Sequence, residues 1–400
     1  MSVKLSELIK QVDPRDIKLV AGKGGYSNQV EWVHMVGNTE IADFLTGGEI
    51  AFTTGVGLRE DMTLLDLVEG CFRNNASGIV INIGPYIKEI TQDVIEFGDE
   101  HDFPIFEVPW RVHMANIMRL FCFNITRSEQ RIMELSTACR YAIFAPKQEE
   151  LYVSTLMQKG YFAEWDYVVG MIDICDWLIG ENDTKFYSPI LDERMELFLK
   201  RASVVVEQRK SDAIVFVEKG RLVIVFGDIT AEEVSNIIEE IRVQLERLMR
   251  DTETIFAGVG SVSHGIRNLW ESYQMAKRII DISKIEKNER QTESYQDMGI
   301  LSLLFHIDSV ECMGEFYDKT IKPLVEYDTD NGSNLVEVLE CYLKSNGSLN
   351  ETAEELFVHR NTINYRIKKI ESILGVDLTK FEVRNKLAIG LMVAKVKEVY

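Results

Sequence analysis

The chain has 400 residues, of which 46% are hydrophobic and 27% charged. At roughly 150 residues per domain this length implies several cores, and the composition excludes whole-chain disorder, collagen-like repetition and a membrane-embedded body. The net charge of −20 repels phosphate backbones over most of the surface, so a nucleic-acid binder of this composition must confine its cations to one patch.

No apolar run approaches the ~20 residues needed to span a bilayer. Met1-Ser2-Val3-Lys4 opens without the apolar stretch of a signal peptide, which predicts a cytoplasmic protein with no membrane partner. The six cysteines, Cys71, Cys122, Cys139, Cys175, Cys312 and Cys341, form no C-x-x-C pair. They read as reduced packing or surface thiols, and neither a disulfide scaffold nor a metal site is expected.

Residues 1–112 alternate strand-like runs at Val30 to Val36, Ile50 to Thr54, Gly78 to Ile83 and Pro104 to Val108 with helical patterns at Leu64 to Asn75 and Ile87 to His101. That alternation predicts a mostly parallel α/β sheet. Ligands bind such sheets beyond the carboxyl ends of the strands. The candidate effector contacts are therefore Thr53, Thr54, Gly55, Trp110 and Arg111. Threonine hydroxyls and glycine amides read polar edges, a tryptophan stacks on a planar ring, and an arginine neutralises an anion. Ala21-Gly22-Lys23-Gly24-Gly25 lacks the spacing of a phosphate loop and reads as a turn. His34 reads as a structural histidine on a strand.

From Met114 to Met157 the chain reads helical, with a broken apolar stripe at Ile117, Phe121, Ile125, Ile132, Leu135 and Ala142. This segment, 113–160, is a connector or a dimer seam. Residues 161–285 form a second α/β block: a strand from Tyr167 to Ile174, a helix from Glu193 to Arg209, a hairpin around Glu218-Lys219-Gly220-Arg221, a helix from Ala231 to Met249, a strand from Thr254 to Val259 and a helix from Ile266 to Ile280. The order is that of a ferredoxin-like or nucleotide-cyclase-like unit. The polar stretch between Ser283 and Asp297 is the best linker.

Ser348 and Glu351, three apart, predict a capping box at the start of a helix carrying Leu349, Ala353 and Leu356. Phe357-Val358-His359 breaks that pattern. A second helix follows with Ile363, Ile367, Ile370 and Leu374 on one face, ending at Gly375. Two short helices joined by a tight turn make a helix-turn-helix within an all-α domain at 296–400. Opposite the apolar stripe lie Arg360, Asn361, Asn364, Tyr365 and Lys368, flanked by Thr362, Arg366 and Lys369. Asparagine bonds adenine bidentately, arginine forks onto guanine, and the flanking residues suit phosphate oxygens. Residues 341–400 carry +3 and the remaining 340 carry −23, as a confined double-stranded-DNA reader requires.

With these motifs in place the chain resembles the purine catabolism regulator (PucR) family of bacterial transcription regulators. Val358-His-Arg-Asn-Thr-Ile-Asn-Tyr-Arg-Ile367 resembles its helix-turn-helix signature. Leu5-Ser-Glu-Leu8, Val30-Glu-Trp-Val-His34, Leu45-Thr-Gly-Gly-Glu49, Thr53-Thr-Gly-Val-Gly57 and Phe103-Pro-Ile-Phe-Glu-Val-Pro109 resemble its sensor domain. The resemblance implies a sensor for a small metabolite, a purine catabolite or another nutrient, and a homodimer or higher oligomer on a DNA operator. It also implies a degenerate GGDEF-like middle domain. Glu218-Lys-Gly-Arg-Leu222 stands where a diguanylate cyclase needs its acidic pair and two glycines, so no catalytic residue and no cofactor is expected. Asp173 alone matches the first-strand metal aspartate and reads as a strand-end polar residue. A metabolite- or nucleotide-binding, cyclase-like enzyme is the alternative.

Overall fold

In the computed structural model, which describes residues 3–59, 62–176, 189–209, 213–286, 292–307 and 309–399, the chain divides into two units, residues 1–135 and 136–400. The first unit runs β1 (Val3–Lys4), α1 (Leu5–Ile9), β2 (Lys18–Ala21), β3 (Gln29–Val30), β4 (Trp32–Met35), α2 (Thr39–Ala42), β5 (Glu49–Thr53), α3 (Leu64–Arg73), β6 (Gly78–Ile83), α4 (Gln92–Glu100) and β7 (Ile105–Pro109). Strands β4 to β7 lie parallel in the sheet order β2-β7-β6-β5-β4, and β2 closes one edge antiparallel.

Alternation along the strands sends Ile50, Phe52, Val80 and Phe106 to a face buried with Leu5 and Leu8 of α1 and with Ile117, Phe121 and Ile125 of α5 (Met114–Phe144). Ala51, Ile79, Ile81 and Ile105 go to the other face, against Leu67, Val68, Cys71 and Val94 of α3 and α4. Burial on both faces is why these strands read as nearly unbroken apolar runs. Thr63 and Asp66 form a reciprocal capping box at the start of α3. The glycine-rich Gly22-Lys23-Gly24-Gly25 enters a single 3₁₀ turn at Lys23–Ser27. Gly22 has φ +72, and a Cβ there would lie 1.9 Å from the Phe103 carbonyl oxygen. Close backbone packing requires this glycine.

The second unit contains the end of α5, then α6 (Val153–Gln158), β8 (Asp166–Asp176), α7 (Pro189–Gln208), β9 (Ala213–Glu218), β10 (Arg221–Gly227), α8 (Ala231–Glu246), β11 (Glu253–Val259), β12 (Ser263–His264), α9 (Leu269–Glu286) and β13 (Thr292–Ser294). The connector helix stops at Phe144 instead of running to Met157, because Pro146 lacks an amide proton and disfavours a helical residue before it. The sheet order is β13-β11-β8-β10-β9, with β12 paired to β8. Lys219 and Gly220 turn the β9–β10 hairpin with φ of +50 and +78, a two-residue loop with both residues left-handed. Helices α7 and α8 cover one face of the sheet through Phe198, Val205, Val234, Ile238 and Ile241. On the other face the Ser272 hydroxyl of α9 accepts the Val169 amide at 2.9 Å. The expected linker is shorter than predicted: α9 continues to Glu286, and Thr292–Ser294 pairs parallel with β11. Glu239 draws Thr292 in, accepting its amide at 3.1 Å and its hydroxyl at 2.7 Å; residues 287–291 lie outside those described.

The remaining helices are α10 (Ile300–Leu304), α11 (Val310–Thr320), α12 (Lys322–Asn331), α13 (Leu335–Lys344), α14 (Leu349–Glu355), α15 (Arg360–Leu374) and α16 (Phe381–Val399). Only half of the expected capping box forms at α14. Ser348 Oγ accepts the Glu351 amide at 3.3 Å. The Ser348 amide is already donated to the Ser345 carbonyl at 2.9 Å, so it needs no glutamate. Helix α13 takes its cap from a distance: the Asp328 carboxylate of α12 accepts the amides of Leu335 and Val336, each at 2.8 Å. Asp328→Ala should cost about 1–2 kcal/mol, seen as faster hydrogen exchange in the first turn of α13. Unchanged exchange there would show that water replaces the carboxylate.

Candidate nucleic-acid interface and effector sites

Helix α15 is positioned by its apolar stripe. Ile363, Ile367 and Ile370 are buried with Leu339 and Tyr342 of α13, Ala353 of α14 and Leu387 of α16. That packing turns Arg360, Asn361, Asn364, Tyr365 and Lys368 outward, all exposed, with Thr362, Arg366 and Lys369 half-buried at the flanks. His359 caps the helix, its Nδ1 accepting the Asn361 amide at 3.1 Å. Gly375, at φ +65, closes it. Between Leu356 and Ile370 there are four Lys or Arg and no Asp or Glu, so the charge that this stretch carries is all positive. Lys369 differs from the rest: its ammonium lies 5.1 Å from the centre of the Tyr327 ring on α12, which draws it toward the protein. Helical periodicity treats Phe357 as a mere break between helices, yet it is the most exposed large apolar residue among those described, at 94%.

The effector candidates of the first unit fall into two groups. Thr53 and Gly55 are buried at the carboxyl end of β5, and the Thr53 hydroxyl accepts the Gly55 amide at 3.2 Å. Trp110 follows β7; its ring lies on Gly84, where a Cβ would approach Cε3 to 2.3 Å, and about half of it is exposed. Asn82 steadies this end, donating to the carbonyls of Val108 and Pro109 at 3.1 and 3.2 Å. Arg111 turns away from that group, pairing with Asp16 at 3.2 Å and donating to the Arg15 carbonyl at 3.0 Å. It lines an open cavity of about 320 Å³ with Asp13, Asp16, His113, Asn116 and Ile117. Arg15 holds the Asp13 carboxyl down to about 2 by a direct hydrogen bond. A larger cleft of about 620 Å³ lies at the opposite, amino ends of the strands, between Gly48, Asn75, Ser77, His101 and Asp102. Thr53, Thr54, Gly55 and Trp110 line neither cavity.

In the middle block Asp173 is buried on β8 and is held by two cations, Arg221 at 2.6 Å and Lys284 at 2.9 Å. Arg221 also binds Asp281 of α9 at 2.9 Å. Although burial disfavours the charged forms, the attraction of Asp173 raises the pKa values of both Arg221 and Lys284 above their ordinary range. A catalytic metal needs an aspartate with free lone pairs, and this one is already neutralised from two sides. The residues present therefore do not fit a Mg²⁺–nucleotide complex. Among the described residues no cluster of three or more His, Cys, Asp or Glu is placed to hold a metal, and no helix is long and apolar enough to cross a membrane.

Comparison with known proteins joins these regions into one class. Residues 7–125 match the purine catabolism regulatory protein-like family, 160–282 a GGDEF-like domain, and 335–393 the PucR C-terminal helix-turn-helix domain. This order defines a PucR-type transcription regulator with a DNA-binding helix-turn-helix. The chain belongs to the PucR family. It is 19% identical to the purine catabolism regulatory protein of Bacillus subtilis strain 168, over 93% of this chain and 96% of that protein. It is 33% identical to the proline-responsive transcriptional activator PutR of the same organism, over 36% of this chain and 35% of the relative. The carbohydrate diacid regulator of Escherichia coli K12 is 28% identical over 42% of each chain. The alignments to the proline and diacid regulators thus span less than half of those proteins.

Replacing Arg221 by Met leaves Asp173 and Asp281 with Lys284 as the remaining cation of the cluster. The change should destabilise the second unit by about 2–4 kcal/mol, measured by chemical denaturation of the full chain. A loss below about 0.5 kcal/mol would place these pairs with ordinary surface salt bridges.

Proposed function

We propose that this protein is a cytoplasmic, ligand-responsive regulator of nutrient catabolism genes, acting as a homodimer or higher oligomer on a two-fold operator. The observation that carries this reading is the exposed face of α15 over residues 360–370, which holds no carboxylate, with Arg360, Asn361 and Asn364 set for base edges. Lys368 on that face and Thr362, Arg366 and Lys369 at its flanks would meet phosphates, and Tyr365, 71% exposed, adds contact area. Two such helices, one from each protomer, would enter successive major grooves one helical turn apart.

The effector would be a purine catabolite or a related nitrogenous nutrient, in keeping with the purine and proline regulators among the relatives. We place it at the carboxyl ends of the first unit's strands. The exposed face of Trp110 would stack on a planar group and Thr54 would read polar edges beside the turn that Thr53 and Gly55 form, while Arg111, paired with Asp16, faces away from this group. To regulate, the effector must bind one arrangement of the readers more tightly than another. The middle block would act structurally. Arg140, near the end of α5, pairs with Glu218 of the hairpin at 2.8 Å and donates to the Val217 carbonyl at 2.6 Å. The hairpin that would serve nucleotide in a cyclase thus receives the connector helix. The ion-paired Asp173 weighs against the cyclase alternative, and incubation with GTP and Mg²⁺ should yield no cyclic dinucleotide.

Arg360→Ala combined with Asn361→Ala should abolish the footprint on the protein's own upstream DNA, a loss of about a hundredfold or more in specific affinity. Lys368→Ala should weaken all sequences alike and lower the slope of log affinity against log salt by about one. A double variant that still footprints would remove α15 from the recognition role. In a thermal-shift panel of purine catabolites, amino acids and dicarboxylates, the true effector should raise the melting temperature of the parent. Trp110→Ala should abolish that rise without altering the DNA footprint of the effector-free protein.

A further inference from the structure

The turn of the helix-turn-helix holds a residue whose placement runs against local physics. Helix α14 ends in a Schellman motif: the Val358 amide bonds the Ala353 carbonyl at 3.0 Å and the Phe357 amide bonds the Glu354 carbonyl at 3.2 Å. The residue between them must be left-handed, and Phe357 has φ +52. Glycine normally takes this position because a Cβ crowds the backbone there. Elsewhere in the domain the left-handed residues after helices are glycine or asparagine: Gly332 at φ +60 after α12, Asn346 at φ +51 after α13 and Gly375 at φ +65 after α15. At α14 it places a large aromatic side chain instead, in a strained conformation and 94% exposed to water. Neither the strain nor the solvation favours folding, and strain of this kind persists where the side chain has another task.

The surroundings indicate that task. Phe357 lies three residues before Arg360, the first residue of α15, within a stretch from Leu356 to Ile370 that holds four cations and no carboxylate. In helix-turn-helix proteins the amino end of the second helix meets the base edges, so the turn before it faces the duplex rim. In the major groove the one apolar mark is the C5-methyl group of thymine, which phenylalanine contacts. We propose that Phe357 is a specificity-determining residue that packs its ring on a thymine methyl group at the edge of each half-site. The inference rests on the DNA-reading assignment of α15 and adds a base preference that its polar face does not supply.

The test uses the full chain and a duplex enriched by it from a random-sequence pool. Phe357→Gly relieves the strained backbone, so its melting temperature should equal or exceed that of the parent. Its affinity for the selected duplex should fall roughly ten- to a hundredfold, the range expected for losing a buried phenylalanine, with the salt slope unchanged because no phosphate contact is lost. Phe357→Asn, which also tolerates the left-handed conformation, should lose affinity likewise. Replacing thymines one at a time by deoxyuridine should reveal a position where the parent loses affinity and Phe357→Gly does not. Equal affinity of parent and Phe357→Gly, or equal sensitivity of both to deoxyuridine at every position, would overturn the proposal. So would a fall in self-association of Phe357→Gly by sedimentation, which would assign the ring to a subunit contact. A parent chain that enriches no duplex would instead refute the DNA-reading assignment itself.

Discussion

Helix α9 is buried on two sides, and the second unit is built around that constraint. One side closes against the middle sheet so tightly that a Cβ on Gly260 would lie 2.1 Å from the Ser272 carbonyl oxygen. The other side presents Met275, Ile279 and Ile282 to Phe305, Met313, Val393 and Val396. Separating the two blocks would return this apolar surface to water, at roughly 25 cal/mol for each square ångström. Lys395 of α16 reinforces the junction, meeting Glu286 of α9 at 2.8 Å and Glu340 of α13 at 3.0 Å. The helix-turn-helix therefore leans on the same α-helix that completes the GGDEF-like sheet.

The charge cluster on that sheet is satisfied within the protein. Asp173 stands on β8, and Arg221 and Lys284 supply as side chains the positive charge that a metal would otherwise bring. A permanent guanidinium needs neither nucleotide nor ion from solution, and it ties the hairpin to α9 through Asp281. Buried charges of this kind are tolerated only when paired, so any one partner is costly to remove while the others stay. At the same turn, Glu218 holds Arg140 and Lys219 lies over Phe144, so the end of α5 is fastened to the hairpin.

The confinement of positive charge resolves the apparent conflict between an acidic protein and a DNA partner. With −23 on residues 1–340 and +3 on the rest, most of the surface repels a duplex. Such a charge distribution weakens non-specific binding, and on the proposed function it would leave discrimination to contacts along α15.

Much of this was legible in the sequence because it is written at short range. The apolar spacing of Ile363, Ile367 and Ile370, the Lys219-Gly220 turn and the break at Phe357 are local signals, and the exposed face of α15 follows from the first of them. Pairings across long separations were not legible. Sequence order does not tell that Asp328 caps α13, that Lys369 lies over Tyr327, that Arg111 is taken by Asp16, or that Thr292 joins the sheet by way of Glu239. By itself the sequence determined the domain order, the period of each helix and strand, and the sign of charge on each region. Only the tertiary structure decided which charged groups are satisfied within the protein and which remain for a partner, because that depends on distances between residues the chain keeps far apart.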